Sequence, residues 1–361
     1  MQYVSHIALP GFAFQQYNPK MELTGCVTVS ALFDIGRDGA CHPAAVQPAI
    51  RLADEMIGPE TGAPETPPQE LRHQADFLPC KPATDVTVLA RAVSPSGAPE
   101  AAWLCGLRGA GLEALLRVHG PRQWQQAPDG RMRPGPAQPV TDLALSWRHA
   151  WGGAEIDAGG QPTGEVDAQN PLGAGYARAG AEAALTGRPA PQIEAAQTPI
   201  TDAAQTGLVP AGLAPVAPVS AWRAGFAGRY DAAWQQTRHP FLPQDFDIRF
   251  YHCAPPALRT ASWLRGDETF ELLNLHPAAR HLRLRLPGRA FGAVASYRSG
   301  ASLRQPLALD GVHFDLLGAT PQLRLTWRTS FLWLSGIRQI DLGDLRFDSL
   351  HAPLPEPAYA G

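Results

Sequence analysis

The sequence contains little cysteine and no familiar spacing of metal ligands. Its 361 residues include five cysteines, at positions 26, 41, 80, 105 and 253, and no two of them form a C-x-x-C pair. An odd number of cysteines without a C-x-x-C pair argues against a zinc ribbon and against a disulfide framework, so we expect free thiols. The histidines are scattered and form no H-x-x-x-H pair. We therefore expect no metal and no other cofactor.

Long apolar runs and a strong net charge are also missing. No apolar stretch approaches the ~18–20 residues of a membrane span, and residues 1–14 lack the basic and apolar regions of a secretory signal. The formal net charge is only -3, from 30 Lys and Arg against 33 Asp and Glu. Such a balance gives no electrostatic reason to bind nucleic acid or an anionic membrane. We therefore expect a cytoplasmic protein.

Motifs of common enzymes are sparse, and the chain has no G-x-S-x-G nucleophile elbow. The most enzyme-like cluster is His239, Asp245 and Asp247, since two carboxylates near a histidine can perform acid–base chemistry. That cluster leaves open a glycan or peptidoglycan hydrolase, or a glycan-binding β-protein. Protection of a sheet edge, or ion pairing of the carboxylates with Arg249 and Arg223, is the plainer explanation. We therefore expect a binding protein without catalysis.

Strand periodicity is what the sequence does contain, at both ends of the chain. Alternating apolar residues predict a long strand over 23–33 and another over 86–92. Residues 101–108 and 115–119 predict a hairpin joined through Gly109-Ala110-Gly111. We expect a mainly β fold, with two packed antiparallel sheets, long irregular central loops and one or two short helices.

The chain is expected to form one continuous domain over residues 1–351. Its parts are a strand-rich segment 1–150, a loop-rich segment 151–222, and a second strand-rich segment 223–347 that begins with a cluster of aromatic residues. The proline-rich residues 352–361 are expected to form a loose tail. Short helices are predicted at 48–56 and 182–185.

Two strands near the carboxyl terminus alternate arginine with large apolar side chains. Residues 282–286 alternate leucine with arginine, and residues 323–328 alternate leucine or tryptophan with Arg324, Thr326 and Arg328. A period of two places the apolar row on the core face and the guanidinium groups on the opposite face. We expect these arginines to face solvent, and a partner-binding face is the alternative.

The segment 152–220 is rich in Gly, Pro, Ala and Gln and has almost no periodicity. So long a connection is functional, partly mobile, or pinned onto the sheets by a few anchors. The expected anchors are Trp151, Asn170, Pro171, Tyr176 and Trp222. Its apolar residues either cover the sheets or contact a partner, and its prolines leave extended backbone groups free to pair with an incoming strand. The candidate partner-binding residues are Leu172, Tyr176, Leu185, Ile193, Leu208, Val209 and Leu213.

An aromatic window spans residues 222–251. Trp222, Phe226, Tyr230 and Trp234 recur every four positions, the spacing of one helix face, although two intervening glycines confine the predicted helix to about 230–236. Residues 246–250 then alternate apolar and polar side chains, which predicts a strand. We expect the window to pack in the core.

Short motifs follow one another in an order that resembles a known family. They are Phe77-Leu78-Pro79-Cys80-Lys81-Pro82-Ala83-Thr84-Asp85-Val86, Val118-His119-Gly120-Pro121-Arg122-Gln123-Trp124, Trp147-Arg148-His149-Ala150-Trp151-Gly152-Gly153, Asn170-Pro171-Leu172-Gly173-Ala174-Gly175, Ala227-Gly228-Arg229-Tyr230-Asp231, Asp245-Phe246-Asp247 and Leu272-Leu273-Asn274-Leu275. Over about residues 23–333 this order resembles the bacterial domain-of-unknown-function family number 2169, which is found beside type VI secretion genes. Arg229 departs from the family, which more often has Thr there.

The resemblance implies a cytoplasmic adaptor or chaperone that binds a toxic type VI secretion effector and assists its loading onto the spike. The implied partners are that effector and possibly the spike or PAAR protein. We expect the motif residues to hold the irregular loops in place, because Asn and Asp side chains bind local backbone. These residues are Trp151, Gly152, Gly153, Asn170, Gly173, Gly175, Trp222, Tyr230, Asp231, Trp234, Pro243, Asp245 and Phe246.

Overall fold

The computed structural model describes residues 2–57, 69–157 and 159–345, and the predicted tail 352–361 lies outside them. In chain order the strands are β1 Gln2–Ser5, β2 Gly11–Tyr17, β3 Leu23–Ile35, β4 Cys41–Pro43, β5 Glu55–Ile57, β6 Glu70–His73, β7 Asp85–Leu89, β8 Arg91–Val93, β9 Ala102–Gly109, β10 Leu112–His119, β11 Trp124–Gln126, β12 Met132–Pro134, β13 Asp142–Ala144, β14 Trp151–Gly152, β15 Ala154–Ile156, β16 Pro162–Val166, β17 Ala174–Gly175, β18 Ile193–Ala195, β19 Thr269–Leu273, β20 His281–Arg285, β21 Ala290–Tyr297, β22 Ser302–Pro306, β23 Ala308–Asp315, β24 Gln322–Leu332 and β25 Ile337–Leu345.

Helices are few and short, so the predicted mainly β fold is confirmed. The α-helices are α1 Ala221–Ala224 and α2 Ala232–Thr237, and 3-10 helices span Trp147–His149, Glu182–Leu185, Ile248–Tyr251 and Pro256–Leu258. No helix in the described ranges is both long and apolar enough to cross a bilayer.

Three larger sheets carry most of the strands. A six-stranded sheet has the order β2-β3-β24-β23-β7 with β4 added to β3, a five-stranded sheet has the order β18-β10-β9-β19-β20, and a four-stranded sheet has the order β1-β25-β21-β22. The β9–β10 hairpin turns where predicted, at residues 110–111. Two outer strands pair in parallel, β7 with β23 and β1 with β25. The main apolar core is shared by these sheets.

Strand β24 lies in the middle of the six-stranded sheet, between β3 and β23. Its residues 323–329 are all buried, on both faces. Arg324 and Arg328 are therefore inside the protein, and the expectation that they face solvent is wrong. The predicted strand is present, but residues 74–81 cover the second face of the sheet and bind these arginines. The arginines of β20 are exposed as expected.

The loop-rich segment is fixed by a small number of buried side chains, as predicted. Asn170 Nδ2 donates to the carbonyl oxygens of Trp147 and Trp151 over 2.8 Å each. Gly152 has a φ of 133°, and a Cβ there would lie 2.3 Å from the Asn170 carbonyl oxygen. Only glycine can adopt this φ without strain and also leave room for the Asn170 carbonyl oxygen. Trp151 packs with Trp124 in a second, smaller apolar cluster.

The helix predicted over 48–56 is absent, and that prediction is wrong. Residues 55–57 form β5, which pairs with β6. The backbone N–H of Arg51 donates to Asp76 Oδ2 over 2.9 Å, and Asp54 Oδ1 accepts from the N–H of Ala75 over 2.8 Å. Long-range contacts therefore hold this segment extended. The helix predicted at 182–185 is present as a 3-10 helix.

The aromatic window forms two separate helices. α1 ends before Gly228, whose φ of 74° breaks the helical path, and α2 begins at Ala232. The strand predicted over 246–250 is wrong, because residues 248–251 form a 3-10 helix. Asp247 caps this helix by accepting from the N–H of Arg249 over 2.8 Å. A local hydrogen bond thus overrides the alternating pattern.

Candidate functional site: a buried ion network beneath a surface groove

A network of ion pairs lies on the covered face of β24. Arg324 Nη2 donates to Asp76 Oδ2 over 2.6 Å, and Arg328 Nη2 lies 3.7 Å from the other oxygen of Asp76. Arg328 Nη1 donates to Asp310, a residue of β23. These four side chains are at most 4% exposed. Buried charges at this depth are tolerated only when each has a partner.

A second group of charges continues the network toward β7. Lys81 Nζ lies 2.7 Å from Asp85 Oδ2, and both side chains are at most 3% exposed. The same carboxylate accepts from the backbone N–H of Cys253 over 2.7 Å and lies 2.6 Å from His252 Nδ1. The backbone N–H of Lys81 donates to Asp310 Oδ2 over 3.0 Å, which joins the two groups.

The Lys81–Asp85 pair is ionised at neutral pH. Burial lowers the pKa of Lys81, but Asp85, Cys253 and Asp310 together more than offset this effect and hold the pKa above its ordinary value. Burial raises the pKa of Asp85, yet Lys81 and His252 hold it well below its usual range. The pair is consequently a fixed salt bridge, and no proton is available from it near pH 7.

A cavity of about 50 Å³ lies against this network. Its lining includes Arg51, Gln74, Asp76, His313 and Arg324. Among the described residues, Arg324 Nε and Nη1, His313 Nε2 and Gln74 Oε1 are buried without a hydrogen-bond partner. Buried polar atoms of this kind are uncommon in folded proteins. The cavity therefore presents polar groups that are available to a small bound molecule.

Three side chains beside the cavity could hold a metal ion. Ligand atoms of His73, His313 and Asp315 all lie within 4.8 Å of one another. Burial and the positive charges of Arg51, Arg72 and Arg324 lower the pKa of His73 to about 3, so its imidazole is neutral. Neutral imidazole suits a metal, but the same guanidinium charges repel a cation. We therefore favour no metal at this position.

A larger groove of about 590 Å³ opens on the surface above Lys81. Trp263 and Ile248, which are 49% and 40% exposed, lie along it, and the buried ring of Trp327 forms part of its base. Trp263 Nε1 donates to the Lys81 carbonyl oxygen over 2.7 Å. The ion network thus fixes the backbone that positions an exposed aromatic ring.

The edge of the four-stranded sheet ends at this groove. Gln305 and Pro306 of β22 line it, and β22 has β21 as its one strand neighbour in the described part of the sheet. Its other edge therefore presents backbone groups without a strand partner there. Arg289, also in the lining, donates to Asp344 over 2.7 Å. An open edge beside exposed apolar side chains is suited to an extended polypeptide.

The structure buries three of the seven candidate partner-binding residues and leaves three others partly exposed. Leu185, Ile193 and Leu213 are at most 5% exposed. Leu172 packs against the main core, and Tyr176 and Leu208 pack against the second cluster. Val209, at 59% exposed, is the one member of this set with a largely accessible side chain. Direct contact between a partner and the three buried leucine and isoleucine side chains would require this segment to open.

The carboxylates of the enzyme-like cluster bind arginines. Asp247 Oδ2 lies 2.6 Å from Arg249 Nη2, as predicted, and Asp245 Oδ2 lies 3.2 Å from Arg229 Nε. The predicted pairing with Arg223 is wrong, because that guanidinium is buried and donates to the carbonyl oxygens of Val216 and Phe250. His239 packs edge-on against Trp234 with its ring centroid 5.3 Å away.

The motif residues of the aromatic window hold loops in place, but they are less buried than predicted. Asp231 Oδ1 accepts from the N–H of Trp234 over 2.9 Å and so caps α2. Pro243 and Phe246 are buried, whereas Tyr230 is 54% exposed and Trp234 is half-buried. The expectation of core packing is therefore wrong for those two rings, because α2 lies on the surface.

The remaining glycines of the central motifs allow close backbone approach. A Cβ at Gly173 would lie 2.5 Å from Asn170 Nδ2, and one at Gly175 would lie 3.1 Å from the ring of Trp124. A Cβ at Gly153 would lie 2.2 Å from the Gly173 carbonyl oxygen. Trp222 packs edge-on against Trp147 at 5.6 Å. These contacts fix the loop across the sheets.

Sequence reasoning missed the residues that form the network and the cavity. Asp76, His313 and Arg324 come from distant parts of the chain, and no short-range spacing connects them. One signal was available: Lys81 and Asp85 stand four residues apart inside a motif that was already singled out. Two charged residues within an apolar stretch that precedes a buried strand are candidates for a buried pair.

The comparison with family models identifies the family, and none of the comparisons gives a named function. A family model described as an uncharacterized protein conserved in bacteria matches residues 21–328, which include the ion network, the cavity and the central loops. Neither a curated protein nor a solved structure is significantly similar to this chain. Because the match covers well over half of its length, the chain belongs to the DUF2169 family of uncharacterized bacterial proteins.

Proposed function

We propose that this protein is a cytoplasmic adaptor or chaperone that binds a type VI secretion effector and assists its loading onto the spike. The secretion context comes from the order of sequence motifs described above. The structural observation that supports a binding role is the surface groove, with exposed Trp263 and Ile248 beside the open edge of β22.

The occupant of the groove is an extended segment of the effector. The groove's volume of about 590 Å³ is in the range of pockets that bind a small molecule, so it has room for side chains of a bound segment. An extended segment would pair its backbone with β22 and place alternate side chains against Trp263 and Ile248. Trp263 is held by its hydrogen bond to Lys81, so little side-chain entropy is lost on binding.

Co-expression with each protein encoded beside the gene tests this proposal. Ile248→Glu places a charge in the groove, whereas Val166→Glu changes a comparably exposed aliphatic residue of β16, outside the groove lining. We expect Ile248→Glu to weaken effector retention at least about tenfold, equivalent to roughly 1.4 kcal/mol, and Val166→Glu to leave it unchanged. Melting temperatures of both variants serve as the folding control. Equal retention by both variants would place the effector elsewhere.

Hydrogen exchange of the complex gives an independent localisation. Protection is expected in residues 302–306 and 259–265, which border the groove. Protection confined to residues 152–220 would instead favour the central loops as the contact surface.

A further inference from the structure

The buried cavity beside β24 has an excess of cationic groups. Arg51, Lys81, Arg324 and Arg328 contribute to its lining, against the carboxylates of Asp76 and Asp85. His73 and His313 also line it, and both imidazoles are neutral at pH 7 because burial and the neighbouring guanidinium groups depress each pKa. Arg328 is paired with Asp310, which lies outside the lining, so the positive charge that acts on the imidazoles comes mainly from the guanidinium groups of Arg51, Arg72 and Arg324.

The carboxylates of the lining are already satisfied. Asp85 accepts from the Lys81 ammonium and from the N–H of Cys253, and its other oxygen contacts His252. Asp76 Oδ2 accepts from Arg324 Nη2 and from the N–H of Arg51. Both carboxylates are thus paired with cationic groups of the protein itself, so the acidic side of the cavity has little capacity to attract a further cation.

The guanidinium of Arg324 still has donors available. Its side chain is only 4% exposed, and its Nε and Nη1 have no partner in the described structure. Buried donors of a charged group are rarely left unpaired in folded proteins, because the lost hydration is then not replaced. Nε and Nη1 lie on different edges of the guanidinium, each beside Nη2, and a planar edge of two N–H groups matches two oxygens of an oxyanion.

One acceptor, Gln74 Oε1, completes the polar lining. Its amide orientation is defined because Nε2 donates to the Tyr251 carbonyl oxygen over 2.8 Å, which leaves Oε1 of this lining residue buried without a donor. A ligand that fits must accept from Arg324 and also donate to Gln74. Hydrogenphosphate does both, since it carries anionic oxygens and one O–H group, whereas sulfate has no proton to donate.

The volume is consistent with such a ligand. Roughly 10–15 Å³ of this kind of space admits one water molecule, so a cavity of about 50 Å³ admits a ligand of only a few heavy atoms. Arg51, which also lines the cavity, is 23% exposed, so the lining reaches the protein surface at this residue. We propose that the cavity beside Arg324 and Gln74 is a binding site for one small protonated oxyanion, with hydrogenphosphate as its ligand.

The test is a thermal melt of the full chain in phosphate, sulfate and chloride at millimolar concentrations and constant ionic strength. We expect the melting temperature to rise with the logarithm of phosphate concentration and to rise much less with sulfate. Phosphorus NMR line broadening on addition of protein gives a second readout that requires no variant.

Two variants assign the contacts. Arg324→Lys keeps a positive charge opposite Asp76 but lacks the paired N–H edge, and we expect at least tenfold weaker phosphate binding. Arg91→Lys, at an exposed ion pair with Asp142, is the matched control and should bind phosphate as the wild type does. Gln74→Met should reduce the preference for phosphate over sulfate, which keeps the proposal testable if Arg324→Lys does not fold.

Three results would overturn the proposal. Equal stabilisation by phosphate, sulfate and chloride would show a general salt effect. A lack of response in both melting and NMR would show that the cavity holds water alone. Stabilisation by Zn²⁺ that a chelator reverses and that His73→Ala removes would assign the site to a metal ion.

Discussion

Asp310 is the extra residue of a β-bulge in β23, and its carboxylate binds Arg328 on the neighbouring strand β24. The register passes from Leu309 opposite Trp327 to Gly311 opposite Thr326, so Asp310 has no cross-strand partner of its own. A bulge re-aims one side chain without ending the strand pairing. The irregularity thus brings an acid to an arginine that would otherwise be buried without sufficient compensation.

Asp310→Ala is expected to destabilise the protein by about 3–5 kcal/mol, because it leaves the buried Arg328 guanidinium with the weaker 3.7 Å contact to Asp76. The double variant Asp310→Leu with Arg328→Met should cost less than the single change, since neither charge is then left unpaired. Urea denaturation measures both. A matched surface change, Asp142→Ala, should cost at most about 1 kcal/mol. A single variant as stable as the wild type would show that the pair contributes nothing.

Trp234→Ala is expected to lower the free energy of unfolding by only about 1–2 kcal/mol. The side chain is half-buried, and its main specific contact is the hydrogen bond from Nε1 to the Phe241 carbonyl oxygen over 2.8 Å. Trp327→Ala, at a ring that is 1% exposed, should cost about 3–5 kcal/mol. Chemical denaturation of the two variants provides the comparison, and the reverse order would contradict the burial seen here.

Stability is expected to fall as the pH decreases from about 6.5 toward 3. The pKa of His73 in the folded chain, about 3, is below the value of 6.5 expected when it is unfolded. The unfolded state therefore binds more protons across this window. The stability that comes from keeping His73 neutral is fully present above pH 6.5 and is lost on acidification. By pH 5 the loss is on the order of 1–2 kcal/mol for this one group.

His73→Gln tests the assignment of that pH dependence. The variant removes the titrating group, so its slope of unfolding free energy against pH between 6.5 and 4.5 should be shallower than that of the wild type. Phosphate-free buffers are used, so that phosphate binding in the cavity does not contribute to the measured pH dependence. An unchanged slope would assign the pH dependence to other groups.

Asp245→Asn and Asp247→Asn are expected to leave effector delivery largely intact. Asp245 bridges to an exposed arginine, and Asp247 caps a short 3-10 helix, a role worth roughly 0.5–2 kcal/mol. A secretion assay in the native host, with melting temperatures measured in parallel, is the check. Loss of delivery at an unchanged melting temperature would favour the hydrolase or glycan-binding alternative, or an interface at these residues.

Local patterns in the sequence were sufficient for much of the fold. Alternation of apolar residues located β3, β24 and the β9–β10 hairpin, because a strand with a buried face must repeat every two residues. Asn170 and the glycines at 152 and 153 were identified as loop-fixing residues, since their chemistry is tied to irregular backbone. The same local rules failed at 246–250, where a side-chain cap outweighed the alternation.

The sequence by itself determined that this chain folds as a mainly β protein of the DUF2169 family with a pinned central loop. Only the tertiary structure decided which arginines are buried. Arg283 and Arg324 both alternate with leucine, yet one is exposed on β20 and the other pairs with Asp76 inside the protein. The difference depends on whether a distant segment covers the second face of the sheet. Periodicity along one strand contains no information about that cover, so the ion network and its cavity emerge only when the chain is folded.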